Sequence, residues 1–426
     1  MKKSALFFLF LVLPISAHAA DSAWVQAVSS GFEARLVTSA GACPTLHTDK
    51  GDVAMAQRAA ATADFPLICA APIPSGAARA GIADVGLPLP VSNPQRILVL
   101  GDTGCRIKGS ALQACNDPAK WPFPHLAAAA AQLKPDLVVH VGDYLYRESA
   151  CPPGNQGCSG SPWGDNWITW QADFFDPAAP LLAAAPIVLA RGNHEDCDRA
   201  GPGWLRLQGP AAFDAGASCI KHLPLYGVDL GALRLAIMDD ATADETNLNR
   251  DESPVYAAEL MGMAKLPAPV WFVHHRPIWG AVTGPLGIPI GGNLNLIDAA
   301  RIAAKDGDAM IPSTVALMLS GHIHTFEAIN YTKAIPPQLV AGNGGTNLEI
   351  TPRNLKGTQF QGHSDVTVTD GLSVGGFGFL LMTRVADGWT IDLYDSTGVK
   401  SRTCRFISAQ TEAKSGAPSG RLDCPA

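Results

Sequence analysis

Five short stretches of this 426-residue chain carry carboxylate, amide and imidazole groups suited to holding metal ions. The first is Gly101-Asp102-Thr103-Gly104 and the second Gly142-Asp143-Tyr144-Leu145-Tyr146. A glycine lets the backbone turn sharply, and the carboxylate beside it can then face a cation. Two such carboxylates on neighbouring strands can share a cation, and one can bridge two. The third stretch, Arg191-Gly192-Asn193-His194-Glu195, offers a neutral oxygen ligand in Asn193 and an acid or base in His194. The fourth is His274-His275-Arg276-Pro277. Adjacent strand residues point opposite ways, so at most one of these imidazoles faces a site. The fifth, Gly321-His322-Ile323-His324, puts two imidazoles on one face of an extended segment. Singly, each has a plain alternative. A Gly-Asp is often only a turn, and Tyr146 alone reads as aromatic packing. Together they supply the oxygen and nitrogen ligands that suit Zn, Mn or Fe.

Apolar runs must place these motifs. Ile97–Leu100, Leu137–Val141, Ile187–Ala190, Val270–Val273 and Val315–Leu319 each end at one of them. Near-continuous apolar strands of this length are buried on both faces. Helices are expected at His125–Lys134, Trp167–Ala184 and Pro254–Lys265, and closing strands at Phe377–Met382 and Trp389–Leu393. Alternating strands and helices predict an α/β domain, with its functional loops at the carboxyl ends of the strands. Residues 20–94 differ, being rich in Ala, Pro, Thr and Val with short alternating stretches such as Phe32–Val37. They read as a small β-rich region ahead of a catalytic domain at 95–400, followed by a C-terminal tail at 401–426.

The first 19 residues read as a leader. Lys2 and Lys3 precede the apolar run Leu6–Val12, and Ala17-His18-Ala19 is a cleavage signature. The run is short for the alternative, an uncleaved membrane anchor. Cleavage leaves 407 residues and takes the formal charge from −7 to −9. An acidic chain lacks the basic stripe of a nucleic-acid binder. No later stretch is apolar enough to span a bilayer, so no membrane association is expected after cleavage. Ten cysteines behind a leader point to disulfides in the periplasm or outside the cell. Sequence proximity suggests the pairs 43–69, 105–115, 151–158, 197–219 and 404–424. A thiolate metal site is the alternative, but no C-x-x-C spacing supports it.

The order GDxG, GDxxY, GNHE, H-x-P and GHxH resembles the calcineurin-like metallophosphoesterases, and within them the purple acid phosphatases. The resemblance spans about Arg96 to Gly345. It implies a four-layer α/β/β/α sandwich holding two metal ions. It assigns Asp102, Asp143, Tyr146 and His324 to the first metal, and Asp143 (bridging), Asn193, His275 and His322 to the second. His275 is preferred to His274 because the family's ligand lies two residues before a proline. His194, oriented by Glu195, would be the catalytic acid, and Asn193 and His194 would contact the substrate. Many relatives have D-x-H in the first motif, where this chain has Gly104, and Tyr146 can fill that gap. A phenol titrates near ~10 in water, so a tyrosinate ligand needs a strongly acidic cation. Fe³⁺ beside a divalent Fe²⁺, Zn²⁺ or Mn²⁺ is the implied pair.

The expected function is hydrolysis of a small phosphate monoester by a metal-activated hydroxide. A phosphodiesterase or nucleotide pyrophosphatase on the same site is the nearest alternative. A catalytically silent metal-binding module is the rival from another class, and it should lack a ligand or His194. A serine hydrolase is disfavoured, since the chain has no G-x-S-x-G elbow.

Overall fold

Both faces of the apolar runs are covered because two β-sheets stack face to face and helices pack outside each. The structure is a computed structural model that describes residues 21–217, 219–304, 310–332, 334–360, 363–408 and 420–425. The expected leader lies outside them.

Among the described residues the larger sheet has eleven strands. Their order is Gly420–Asp423, Lys400–Ser408, Gly388–Asp395, Gly378–Val385, Arg96–Leu100, Leu137–His140, Ile187–Leu189, Ser22–Val28, Gly31–Thr38, Leu67–Pro72 and Ala56–Ala59. The three central strands run parallel, with Ile97 opposite Leu137 and Val138 opposite Ile187. The second sheet has eight strands, ordered Tyr226–Asp229, Arg234–Ile237, Val270–Val273, Val315–Ser320, Gln338–Ala341, Phe326–Tyr331, His363–Val374 and Gln359–Phe360. Four of these, from Arg234–Ile237 to Gln338–Ala341, are parallel.

Alternation along each strand divides the core. Val99, Val139 and Val188 meet Leu235, Val273 and Leu317 between the sheets. Their neighbours Leu98, Leu100 and Val138 face outward, against Phe123, Leu126, Phe174 and Leu181. On the far side Phe272 and Met318 pack on Tyr256, Leu260 and Leu296. Each such side chain contributes roughly 1.5–3 kcal/mol on burial. The outer layers are Phe123–Gln132 and the helical run Trp167–Ala184 on the large sheet, with Ser253–Met263 and Leu294–Ala303 on the small one. This is the expected α/β/β/α sandwich. Within Trp167–Ala184, residues Gln171–Phe175 form a π-helical turn.

The segment 20–94 is not isolated from this sheet. Ser22–Val28 pairs in parallel with Ile187–Leu189, and Gly31–Thr38, Leu67–Pro72 and Ala56–Ala59 follow it outward. A separate four-stranded sheet packs on them around Val25, Leu36, Leu46 and Ile82. The segment read as a C-terminal tail is, in its described residues, the last two strands at one side of the large sheet: Lys400–Ser408 pairs antiparallel with Gly388–Asp395, and the edge strand Gly420–Asp423 pairs with Lys400–Ser408. All five expected disulfides are present. No helix among the described residues is long and apolar enough to cross a membrane.

Candidate metal centre

The five motifs meet at one edge of the two-sheet core, each just past the carboxyl end of a parallel strand. Three proposed ligands bend there through left-handed backbone: Asp102 at φ 57°, Asp143 at 63° and His322 at 67°. Such conformations are uncommon for residues with a side chain and cost on the order of 1–3 kcal/mol each. Gly142 has φ 103°, and a Cβ on it would meet His275 Nδ1 at 2.4 Å. Glycine there lets the strand of Asp143 approach the imidazole from the opposite sheet.

Two donor clusters share Asp143. In the first, the buried Tyr146 hydroxyl lies 3.0 Å from Asp102 Oδ1, 2.7 Å from Asp143 Oδ2 and 3.2 Å from His324 Nε2. In the second, Asn193 Oδ1 is 3.0 Å from His275 Nε2 and 2.8 Å from His322 Nδ1. His275 Nε2 lies 3.3 Å from Asp143 Oδ2, and donor atoms of Asp143, His275 and His322 fall within 4.8 Å of one another. All seven expected ligands are therefore brought together.

Partners outside the clusters choose the ring nitrogens. His275 Nδ1 donates to the Val141 carbonyl at 2.8 Å, leaving Nε2 for the site. His322 does the reverse, with Nε2 3.1 Å from Glu245 Oε1 and Nδ1 turned inward. His274 points away, its Nδ1 3.0 Å from Asp240 Oδ2. Asp240 also accepts the backbone N–H groups of His275 and Arg276, so it shapes the whole loop.

Electrostatics fit metal ions. Burial pulls the His275 pKa down, but the Asp143 carboxylate beside it more than reverses this, to about 10. The carboxylates thus call for positive charge in a buried pocket, which bound cations supply. Burial, Asp102 and Asp143 hold the Tyr146 proton more tightly than water does. Only a strongly acidic cation would displace it.

Glu195 does not orient His194. Its carboxylate accepts backbone N–H bonds from Asp143 at 3.1 Å, Tyr144 at 2.8 Å, Leu145 at 3.1 Å and Gly192 at 3.2 Å. It clamps the second motif to the third, because a short buried turn leaves those donors without other acceptors. The His194 backbone N–H donates to Asp143 Oδ1 at 2.8 Å, and its Nε2 lies 4.0 Å from Asp143 Oδ2. Burial takes its pKa down to about 4 although Asp143 and Glu148 oppose this. The ring's Nδ1 faces Glu148 and Arg199, neither of which stood out in the sequence. Asp173 was also missed. It sits in the π-helical turn, accepts the N–H groups of Cys105 and Tyr146 at 2.8 Å each, and pairs with Arg147. A π turn in an otherwise regular helix often marks such a site. The Gly342–Gly345 stretch backs the first motif, with Gly344 N–H donating to the Gly101 carbonyl at 3.0 Å and, just past it, Thr346 N–H donating to the Asp102 carbonyl at 2.9 Å.

A family model for calcineurin-like phosphoesterases matches residues 95–326, which contain all five motifs. The chain belongs to that family. It is accordingly a metal-dependent phosphoesterase. Among solved structures, a purple acid phosphatase isolated from yellow lupin (Lupinus luteus) seeds matches with a TM-score of 0.57 at 14% identity. The match covers 90% of this chain and 74% of that one, and it shows a shared fold. The GAP50 anchor in the inner membrane complex of Plasmodium matches at a TM-score of 0.45 and 16% identity, over 73% of this chain and 87% of that one. That score is too low to carry an argument. No curated protein sequence matches.

Proposed function

We propose that this phosphoesterase is an exported phosphomonoesterase of the purple acid phosphatase type, with a two-metal centre. The observation that carries this reading is the convergence of the Tyr146 hydroxyl on Asp102, Asp143 and His324, next to a second cluster that shares Asp143. Asp102, Asp143, Tyr146 and His324 would hold the harder ion, Fe³⁺. Asp143, Asn193, His275 and His322 would hold a divalent Fe²⁺, Zn²⁺ or Mn²⁺. When bound, such ions supply an acidified water as nucleophile and positive charge for the phosphoryl oxygens.

The chain's own residues do the rest. Asn193 and His194 stand beside the shared carboxylate and contact the phosphoryl group. His194 presents Nε2 to the same space and, in its protonated form, gives that proton to the leaving alkoxide. Asp102 and Asp143 hold their backbone shape by accepting the N–H groups of His322 and His194. Five disulfides support folding in an oxidising compartment, the periplasm or beyond.

The test is turnover of a panel of phosphate monoesters and diesters by purified protein. Monoesters should be hydrolysed faster by at least tenfold. Faster diester turnover would instead favour a phosphodiesterase. A visible absorption band that vanishes in Tyr146→Phe would support Fe³⁺ at that phenol. A colourless, iron-free, active enzyme would remove Tyr146 from the ligands.

A further inference from the structure

We propose that a cavity at the opposite end of the two-sheet core from the metal centre binds an aromatic monocarboxylate, with Arg384 as the group that takes its charge. The cavity, of about 410 Å³, opens where the parallel strands begin rather than where they end. That volume suits a small organic molecule. Pro269 lines it just ahead of strand Val270–Val273, and His275 stands just past that strand's other end. Extended chain of this length separates the two by roughly 20 Å.

Strand register builds the site. Arg384 lies opposite Trp389 on the neighbouring strand, and Trp389 lies opposite Phe406 on the next. Directly opposed residues share a face, so the three side chains form one row across the large sheet. Trp271 meets that row from the other sheet, edge-to-face with Trp389 at 5.0 Å between ring centroids and with Phe406 at 6.3 Å. All three rings are buried, and Leu233 and Pro269 extend the apolar wall. Rings arranged this way favour an aromatic occupant, whose edge or face completes the cluster.

Arg384 supplies the charge. Its Cζ stands 4.9 Å from the centroid of the Trp389 ring, and the residue lines the cavity. Among the described residues its side chain makes no hydrogen bond and no ion pair, and its buried Nε is without a partner. The acidic residue of the adjoining turn, Asp387, is engaged elsewhere: its two oxygens accept from Arg405 Nη2 at 2.7 and 2.9 Å. The Thr314 hydroxyl at the rim is also engaged, donating to the Met263 carbonyl at 2.9 Å. A guanidinium without a counter-charge beside an apolar cavity calls for an anion. Its planar fork fits a carboxylate, and one fork balances one negative charge. A dianion such as phosphate would keep an unbalanced charge against apolar walls, which is costly.

The experiment titrates the purified protein with 2-naphthoate and, separately, with its neutral counterpart 2-naphthamide, by calorimetry. The carboxylate should bind with a Kd below about 1 mM, and the amide at least roughly tenfold more weakly. Arg384→Gln should weaken the carboxylate by a similar factor and leave the amide within about twofold. Arg384→Lys keeps the charge without the fork and should fall between. Turnover of phosphate esters by either variant should stay within about twofold of wild type, because the metal centre lies at the other end of the core. No binding of 2-naphthoate, or an amide that binds as tightly as the carboxylate, would overturn the proposal. Carboxylate binding that Arg384→Gln leaves intact would also overturn it. So would displacement of 2-naphthoate by inorganic phosphate, which would put the ligand at the metals. If Arg384→Gln fails to fold, the carboxylate-to-amide ratio in wild type and the phosphate competition carry the test.

Discussion

A methyl group on Gly104 would lie 2.8 Å from Cδ2 of Tyr146 and 2.5 Å from the Tyr144 carbonyl oxygen. The D-x-H form of the first motif, set beside this chain by its sequence resemblance, would put a histidine at the position of Gly104. Here the ring of Tyr146 takes up that space and its hydroxyl reaches the same cluster. The missing side chain and the added phenol are two halves of one change. Gly104→Ala should therefore displace Tyr146. The expected result is a loss of turnover of roughly tenfold or more and a lowered Tm. Tyr146→Phe keeps the ring and should spare the fold while weakening the first metal. Turnover, melting curves and metal content check both. A Gly104→Ala enzyme as stable and active as wild type would contradict the coupling.

Glu195 joins two motifs rather than orienting His194. Glu195→Ala leaves four buried N–H groups without their acceptor. A buried N–H left without its acceptor costs about 1–3 kcal/mol, and relaxation recovers some of that. A loss of at least roughly 3 kcal/mol in denaturant unfolding is expected, together with lower metal content. Stability within ~0.5 kcal/mol of wild type would mean that the clamp does not hold the loops.

Much of this was legible because it is local. A buried apolar run followed at once by Gly-Asp, Gly-Asn or Gly-His announces a strand and the loop at its end. Thus Asp102, Asp143, Asn193, His275, His322 and His324 are readable in their own segments. The disulfides are equally local, the widest spanning 26 residues. The missed groups act across the chain. Arg199 meets Glu148 from 51 residues away, and Asp173 meets Cys105 from 68. Asp240 ends a strand without any motif to mark it. The pairing of Gln26 with Ile187 has no local signature, so residues 20–94 read as a separate region instead of part of the large sheet. Helix Leu294–Ala303 was overlooked although Asn293 caps it, accepting the Leu296 N–H at 3.0 Å.

Glu327 gives stability a pH dependence remote from turnover. It is fully buried, its Oε2 accepts the Ala281 N–H at 3.1 Å, and its Oε1 has no partner among the described residues. Burial raises its pKa from 4.5 to about 8. The folded state then holds a proton that the unfolded state has released between those values. This contribution is fully present below pH 4.5 and is lost as pH rises toward 8. Glu327→Gln stays neutral throughout. Between pH 5 and pH 8 its Tm should fall less than that of wild type, by roughly 3–5 °C. Parallel melting profiles for the two proteins would show that Glu327 ionises freely in the fold.

The metal content of purified, active enzyme tests the two-cluster centre most directly. Two metal ions per chain are expected, with turnover lost on chelation and restored in proportion as the second ion returns. Full activity with one ion per chain, or with none, would contradict the account.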